Sequence, residues 1–295
     1  DPEPWGRNQF YWMQQVAELA AAEGITVTAP YLFHFVGTSG KVDTYADWKA
    51  AASTAWDEHR AEMNRLFGAV PMPIVIQNGG DTNGVGDLYE QTAAQYDMAV
   101  DYEGHILLSQ RSFLINDNNI HLSTPEIVRQ GERAAWARGE IDADRKWTPW
   151  ATVMKSGAVV TVTFDLRPGE TLVDRVGLYA NYGGDATCVN YGFEAGGGVS
   201  GVTFSGNVVT VTLADAGSTW LRFALQRQDV RAFGHVIGGA TYHMSAHRTT
   251  LAPSETAPSV EYPGETMWRD LPSFSVLFSG DQVNRLDGTP FGGGA

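Results

Sequence analysis

YADWKAAASTAWDEHRAEMNRLFGAVPMPIVIQ, residues 45–77, is the stretch on which the fold turns. Trp48, Ala52, Trp56, Met63 and Phe67 recur at three- and four-residue steps or their multiples, so Tyr45–Phe67 reads as a helix with one apolar stripe. Asp43 and Thr44 precede it as capping candidates, and Gly68 follows as a stop. Pro73-Ile-Val-Ile-Gln77 is then a short apolar run without alternation, bounded by Pro and Gly. Such a run reads as a strand buried on both faces. A helix followed by a doubly buried strand is the repeating unit of a parallel sheet.

The neighbouring sequence repeats that unit in both directions. Upstream, Phe10, Met13, Val16, Leu19 and Ala20 give a helix over Asn8–Glu23 with Gly24 as its stop, and Ile25–Tyr31 reads as the strand after it. Downstream, a helix is expected over Leu88–Tyr102 and a strand over His105–Ser109. A last helix begins near Ser123-Thr124-Pro125-Glu126, which holds a capping box and an early Pro. The succession predicts an α/β domain with a parallel sheet over residues 1–142, covered on both faces. Binding and catalytic groups in such sheets collect beyond the carboxyl ends of the strands. Those ends are expected at His34–Lys41, Asn78–Asp87 and Ser109–His121.

After Arg145 the apolar period becomes two. Val159–Leu166 and Val208–Leu213 alternate, Ser205-Gly206-Asn207 supplies a hairpin turn, and Ser218–Leu225 reads as another half-buried strand. Residues 143–250 are therefore expected to form an antiparallel β-sandwich. The segment 251–295 is rich in Pro and Gly, and Leu271–Phe278 reads as one edge strand.

Composition narrows the function. The chain has 295 residues, 43% of them hydrophobic and 18% charged, which suits two packed domains and excludes wholesale disorder. A formal charge of −14 argues against binding a nucleic-acid backbone. No apolar run is long enough for a membrane span. The single cysteine, Cys188, excludes an internal disulfide framework and a cysteine-rich zinc module. The opening Asp1-Pro2-Glu3-Pro4, without initiator Met or signal peptide, reads as a piece processed or excised from something longer.

Among the candidate motifs, Asp117-Asn118-Asn119-Ile120-His121 places a His just before a capped helix. An acid a few residues earlier can orient the imidazole for general-base work; the alternative is a His that only hydrogen-bonds its loop. Val36-Gly37-Thr38-Ser39-Gly40-Lys41 could present backbone N–H groups to an oxyanion, but it has neither phosphate-loop nor G-x-S-x-G spacing. His34 beside it reads as a pocket wall. Asp81–Asp87 lacks the full ligand set of a calcium loop, and His243 and His247 lack the Glu of a metalloprotease helix. No metal site and no cofactor are expected. Trp147, Trp150, Tyr179, Tyr182 and Tyr191 suit either sugar stacking or a sandwich core.

Together these stretches resemble an SGNH (GDSL-type) hydrolase of the sialate O-acetylesterase-like group, a flavodoxin-like parallel-sheet fold. Asn118-Asn-Ile-His121-Leu-Ser, with Pro125 and Gly131-Glu-Arg-Ala after it, resembles the family's last block, in which a D-x-x-H-L segment carries acid and base. The resemblance implies that His121 is the general base. The acid position falls on Asn118, with Asp117 next to it. Phe33-His34-Phe-Val-Gly37-Thr38 sits where the family has its oxyanion block, of which Gly37 matches. No residue matches the family's serine block. The resemblance therefore implies either a serine on an upstream or partner polypeptide, or a domain turned non-catalytic binder.

Trp147-Thr-Pro-Trp150, Thr161–Asp165, Tyr191–Glu194 and Leu221–Leu225 are similar to the sandwich that follows SGNH domains in bacteriophage and gene-transfer-agent particles. That implies an extracellular fibre or spike on a phage-like particle. It would be oligomeric, in contact with other particle proteins, and directed at a host-surface polysaccharide from which it removes O-acetyl groups. The other implied role is an adhesin or structural component with a degenerate esterase pocket.

Overall fold

A computed structural model of the chain describes residues 4–28, 31–35, 44–68, 72–76, 89–101, 106–107, 115–116, 124–175, 189–225, 235–237, 240–244, 249–264 and 266–292. Helix α1 (Pro4–Ala22) precedes strand β1 (Tyr31–Phe35), and α2 (Tyr45–Phe67) precedes β2 (Met72–Ile76). Helix α3 (Tyr89–Asp101) is followed by β3 (Ile106–Leu107) and β4 (Ile115–Asn116), and then by α4 (Thr124–Asp142). Strands β1, β2 and β3 form a parallel sheet in that order.

Local chemistry sets these boundaries. The Thr44 hydroxyl accepts from Asp47 N–H at 3.2 Å and donates to the Asp47 carboxylate at 2.7 Å, which caps α2. Gly68, at φ 65°, ends it by donating to Asn64 O at 2.8 Å. Tyr45, Trp48, Ala52 and Trp56 are the buried residues of its stripe, whereas Met63 and Phe67 are half-buried. The first strand lies later than Ile25–Tyr31, the stretch expected from the pattern. Residues 25–28 are irregular with Ile25 exposed, and the strand starts directly after Pro30, a residue with no N–H to give a ladder. His34 therefore sits within β1 and not beyond its end.

The remainder is antiparallel. Strands β5 (Ala151–Ser156), β6 (Val159–Phe164), β7 (Leu172–Asp174), β8 (Phe193–Ala195), β9 (Val199–Ser205), β10 (Val208–Leu213) and β11 (Trp220–Phe223) come first. Then follow β12 (His235–Ile237), β13 (Ala240–Met244), β14 (Leu251–Pro253), β15 (Thr256–Pro258), β16 (Thr266–Trp268), β17 (Phe274–Ser279) and β18 (Gln282–Asn284). Two four-stranded sheets, β5-β6-β10-β9 and β18-β17-β11-β8, face each other. Val160, Val162, Phe164, Val209 and Val211 from the first meet Phe193, Leu221, Phe223, Phe274 and Val276 from the second, with the Phe164 and Phe223 rings 5.6 Å apart. The alternation read from the sequence over Val159–Leu166 and Val208–Leu213 is the alternation observed: every second residue of β6 and of β10 is buried. Gly206, at φ 60°, opens the two-residue turn joining β9 to β10.

The edge strand expected at Leu271–Phe278 is instead interior: β17 pairs with β11 on one side and β18 on the other. Both of its faces are covered, so burial along it is nearly continuous rather than alternating. Phe274 points into the core, while on the opposite face Ser275 and its partner Arg222 stay buried under α3. The Arg222 guanidinium lies 3.5 Å from the centre of the Tyr89 ring and 4.3 Å from that of Trp220. Farther along α3, Tyr96 is fully buried against Trp150, Phe274 and Phe291, and exchanges hydrogen bonds with the backbone of Ala151. The described residues of 251–295 supply five strands, two of them in the sandwich.

Candidate functional site

The parallel sheet places three carboxyl ends side by side. His34 pairs with Val75, and Val75 with Leu107, so these residues form one row across the sheet; Phe35 and Ile76 form the next. Of the stretches singled out from the sequence, 36–41 comes after β1 in the chain, 78–87 after β2, and Asp117–His121 after β4. Gly37, Thr38, Asp117, Asn118 and His121 lie outside the described residues. His34 is placed by its backbone, one residue before the end of β1. Strand β4, which immediately precedes Asp117, joins β13 through the pairs Asn116 with His243 and Ile115 with Met244. Among the described residues no group of three or more His, Cys, Asp or Glu side chains is arranged to hold a metal ion.

Helix α4 follows the His121 stretch and is held firmly at its far end. Tyr31, the first residue of β1, donates its hydroxyl to Asp142, and Arg138 lies over the Tyr31 ring at 5.3 Å. The Asp142 hydrogen bond holds the Tyr31 hydroxyl above its ordinary pKa. Two residues before Asp142 in the helix, the Glu140 carboxylate takes a bidentate pair from Arg145 at 2.5 and 2.6 Å and a third contact from Arg167 at 2.8 Å. Trp136 Nε1 donates to the same carboxylate at 3.2 Å. The Arg145 hydrogen bonds, aided by Arg167 and against burial, hold Glu140 below the usual carboxylate range.

From Arg167 the ionic chain continues into the sandwich. Arg167 pairs with Glu255, and Arg269 with Glu170, while both arginines donate to the Lys146 carbonyl at 2.6 and 3.2 Å. Burial depresses the Arg269 guanidinium, countered by Glu170. None of this was read in the sequence. Its members are spread over residues 140–269, so no local spacing marks them.

The aromatics weighed as sugar platforms divide. Trp147 is 3% exposed and packs edge-on against Trp136, with ring centres 5.1 Å apart. Trp150 packs edge-on against Tyr96, and Tyr191 against Phe204. These three are core or partly buried residues, whereas Tyr179 and Tyr182 fall outside the described residues.

No protein-family model matches the sequence, and no curated protein does. Among solved structures, the chain is similar to a carbohydrate acetylesterase from Xanthomonas citri, with a TM-score of 0.49 and 15% identity. The match covers 77% of this chain and 50% of that one, so the chain spans about half the length of that esterase. Among the described residues no helix is long and apolar enough to cross a membrane.

Proposed function

We propose that the protein is a carbohydrate-directed component on the surface of a phage-like particle, in which an SGNH-type domain within residues 1–142 removes O-acetyl groups from a host polysaccharide. The observation that carries this reading is the common edge of the parallel sheet. Strands β1, β2 and β3 end side by side there, where α/β enzymes assemble their sites, and the 36–41 and 78–87 stretches come next in the chain after β1 and β2.

In this reading a serine from outside these residues attacks the acetyl carbonyl, and His121 takes the hydroxyl proton. Asp117 or Asn118 holds the imidazole, and backbone N–H groups near Gly37 and Thr38 receive the negative charge that develops on the carbonyl oxygen. His121 then returns the proton to the departing sugar hydroxyl, and water releases acetate from the acyl-serine by the same path. His34 lines the pocket. The absence of a match to the family's serine block favours a second reading, a binder that keeps the pocket without the chemistry.

The natural particle-borne polypeptide, assayed on 4-nitrophenyl acetate and on acetylated xylan, separates the two. Release of acetate is expected, and His121→Ala should lower it by several orders of magnitude with Tm nearly unchanged. If the wild type releases no acetate but still binds acetylated xylan, the binder reading stands. Equal activity in the variant would remove His121 from the chemistry.

A further inference from the structure

Three carboxylates and two cations meet where the helices join the sandwich. Asp97 on α3 is 1% exposed and accepts from the Tyr45 hydroxyl of α2 at 2.8 Å. Its other oxygen makes no hydrogen bond; Arg285 Nε lies 3.4 Å from it, and the charges of Lys49 and Asp101 also act on the carboxyl. The Arg285 fork is engaged elsewhere, with Nη1 donating to both oxygens of Asp101 at 2.6 and 2.8 Å. Lys49 Nζ of α2 sits 3.2 Å from Asp101 and 3.8 Å from Asp287. Asp287 is held by Thr289, whose backbone N–H donates at 3.0 Å and hydroxyl at 2.6 Å. Of the other titratable groups nearby, Glu90 accepts the Tyr45 backbone N–H at 2.8 Å, and Tyr96 directs its hydroxyl to Ala151.

Asp97, Asp101 and Asp287 outnumber Lys49 and Arg285 by one negative charge. The acid with the bare oxygen is also the most deeply buried of the three. An uncompensated charge in such a place is costly, and the usual remedy is a proton. The same group fastens the C-terminal segment to the helices: Arg285 and Asp287 reach α3 and α2, and the Phe291 ring stacks on Tyr96 at 5.5 Å.

We propose that this joint is a proton-controlled clasp, in which one proton on the Asp97 carboxyl closes residues 285–291 over α2 and α3 and its loss loosens them. Burial, opposed by the Tyr45 hydrogen bond and by Arg285, pushes Asp97 up to about 7. That lies above the value of about 3.9 for an aspartate in an unfolded chain. The folded joint therefore keeps a proton that the opened one releases. Its contribution is complete below the ordinary carboxylate range and is lost as pH rises through about 7.

Hydrogen exchange of the 285–291 amides, corrected for intrinsic rates and followed from pH 5 to 8.5, tests the proposal on the whole chain. Protection in the wild type should fall by up to about tenfold per pH unit toward neutrality and then level off. Asp97→Asn should be flat across the range. Tyr45→Phe removes the hydrogen bond that lowers the Asp97 pKa, so its levelling point should move to higher pH. Asp101→Asn removes a repulsive charge and should move it to lower pH. A flat wild-type profile, or a slope that persists in Asp97→Asn, would overturn the clasp. If Asp97→Asn does not fold, opposite displacements in the other two variants support it, and identical levelling points refute it.

Discussion

Arg175 and Asp270 are 1% and 2% exposed at their side chains and pair at 3.2 Å, so each has given up its water for the other. Such a pair adds little over a well-packed apolar replacement, but breaking it strands a charge. Asp270→Ala should lower unfolding free energy by about 3–5 kcal/mol in chemical denaturation, while a volume-matched apolar double replacement should recover most of that loss. Equal stabilities for the single and double variants would contradict this account. At the surface the stakes are lower: Thr44→Ala should cost about 1 kcal/mol, because the Asp47 N–H loses its acceptor. The Thr44 cap could be read from the sequence, since a cap and its partner lie three residues apart. The Arg175–Asp270 pair could not, because its members are 95 positions apart and nothing local couples them. The same limit applies to the candidate site. His121 was singled out by its neighbours in sequence, whereas the Asp97 joint draws on α2, α3 and the chain after β18.

Elements read well wherever one periodicity ran without competition. Helix α2 spans Tyr45–Phe67 as its apolar stripe and Gly68 imply, and the β6 and β10 alternations pack as expected. Strands whose burial depends on distant partners read poorly. Leu271–Phe278 has the composition of an edge, yet α3 covers its outer face and β18 closes its flank. Phe274 touches Phe223, Tyr96 and Phe291, which ties β11, α3 and the segment after β18 together through one side chain. Phe274→Ala should destabilise by about 3–5 kcal/mol, and a loss under 1 kcal/mol in urea denaturation would show that β17 is peripheral after all. Helix α4 is likewise fixed by what its last turn meets. Glu140, held below the ordinary carboxylate range by Arg145 and Arg167, adds stability that is present above about pH 4.5 and lost on acidification. Glu140→Gln should flatten the acid limb of Tm against pH, and an unchanged limb would exclude that carboxylate as its source.

For the molecule as a whole, the boundary expected near residue 250 does not separate a finished sandwich from a tail. Strands β17 and β18 are half of one sheet, and Phe291 completes the packing of Tyr96. A chain ending at residue 250 should lose its cooperative thermal transition, and a truncated protein melting within a few degrees of the full one would refute this. The helices and the sandwich should accordingly unfold together rather than in two steps. The position of these last strands also governs how the protein comes into being. Asp101 and Arg285 are 184 residues apart, which a ribosome covers in about 10 to 40 s. Throughout that interval α3 has been made while β17 and residues 285–291, which complete the surface that receives it, have not. The packing of α3 is therefore completed only once β17 and residues 285–291 have been made, and a nascent chain halted before β17 should be cut by proteases faster than one that includes them.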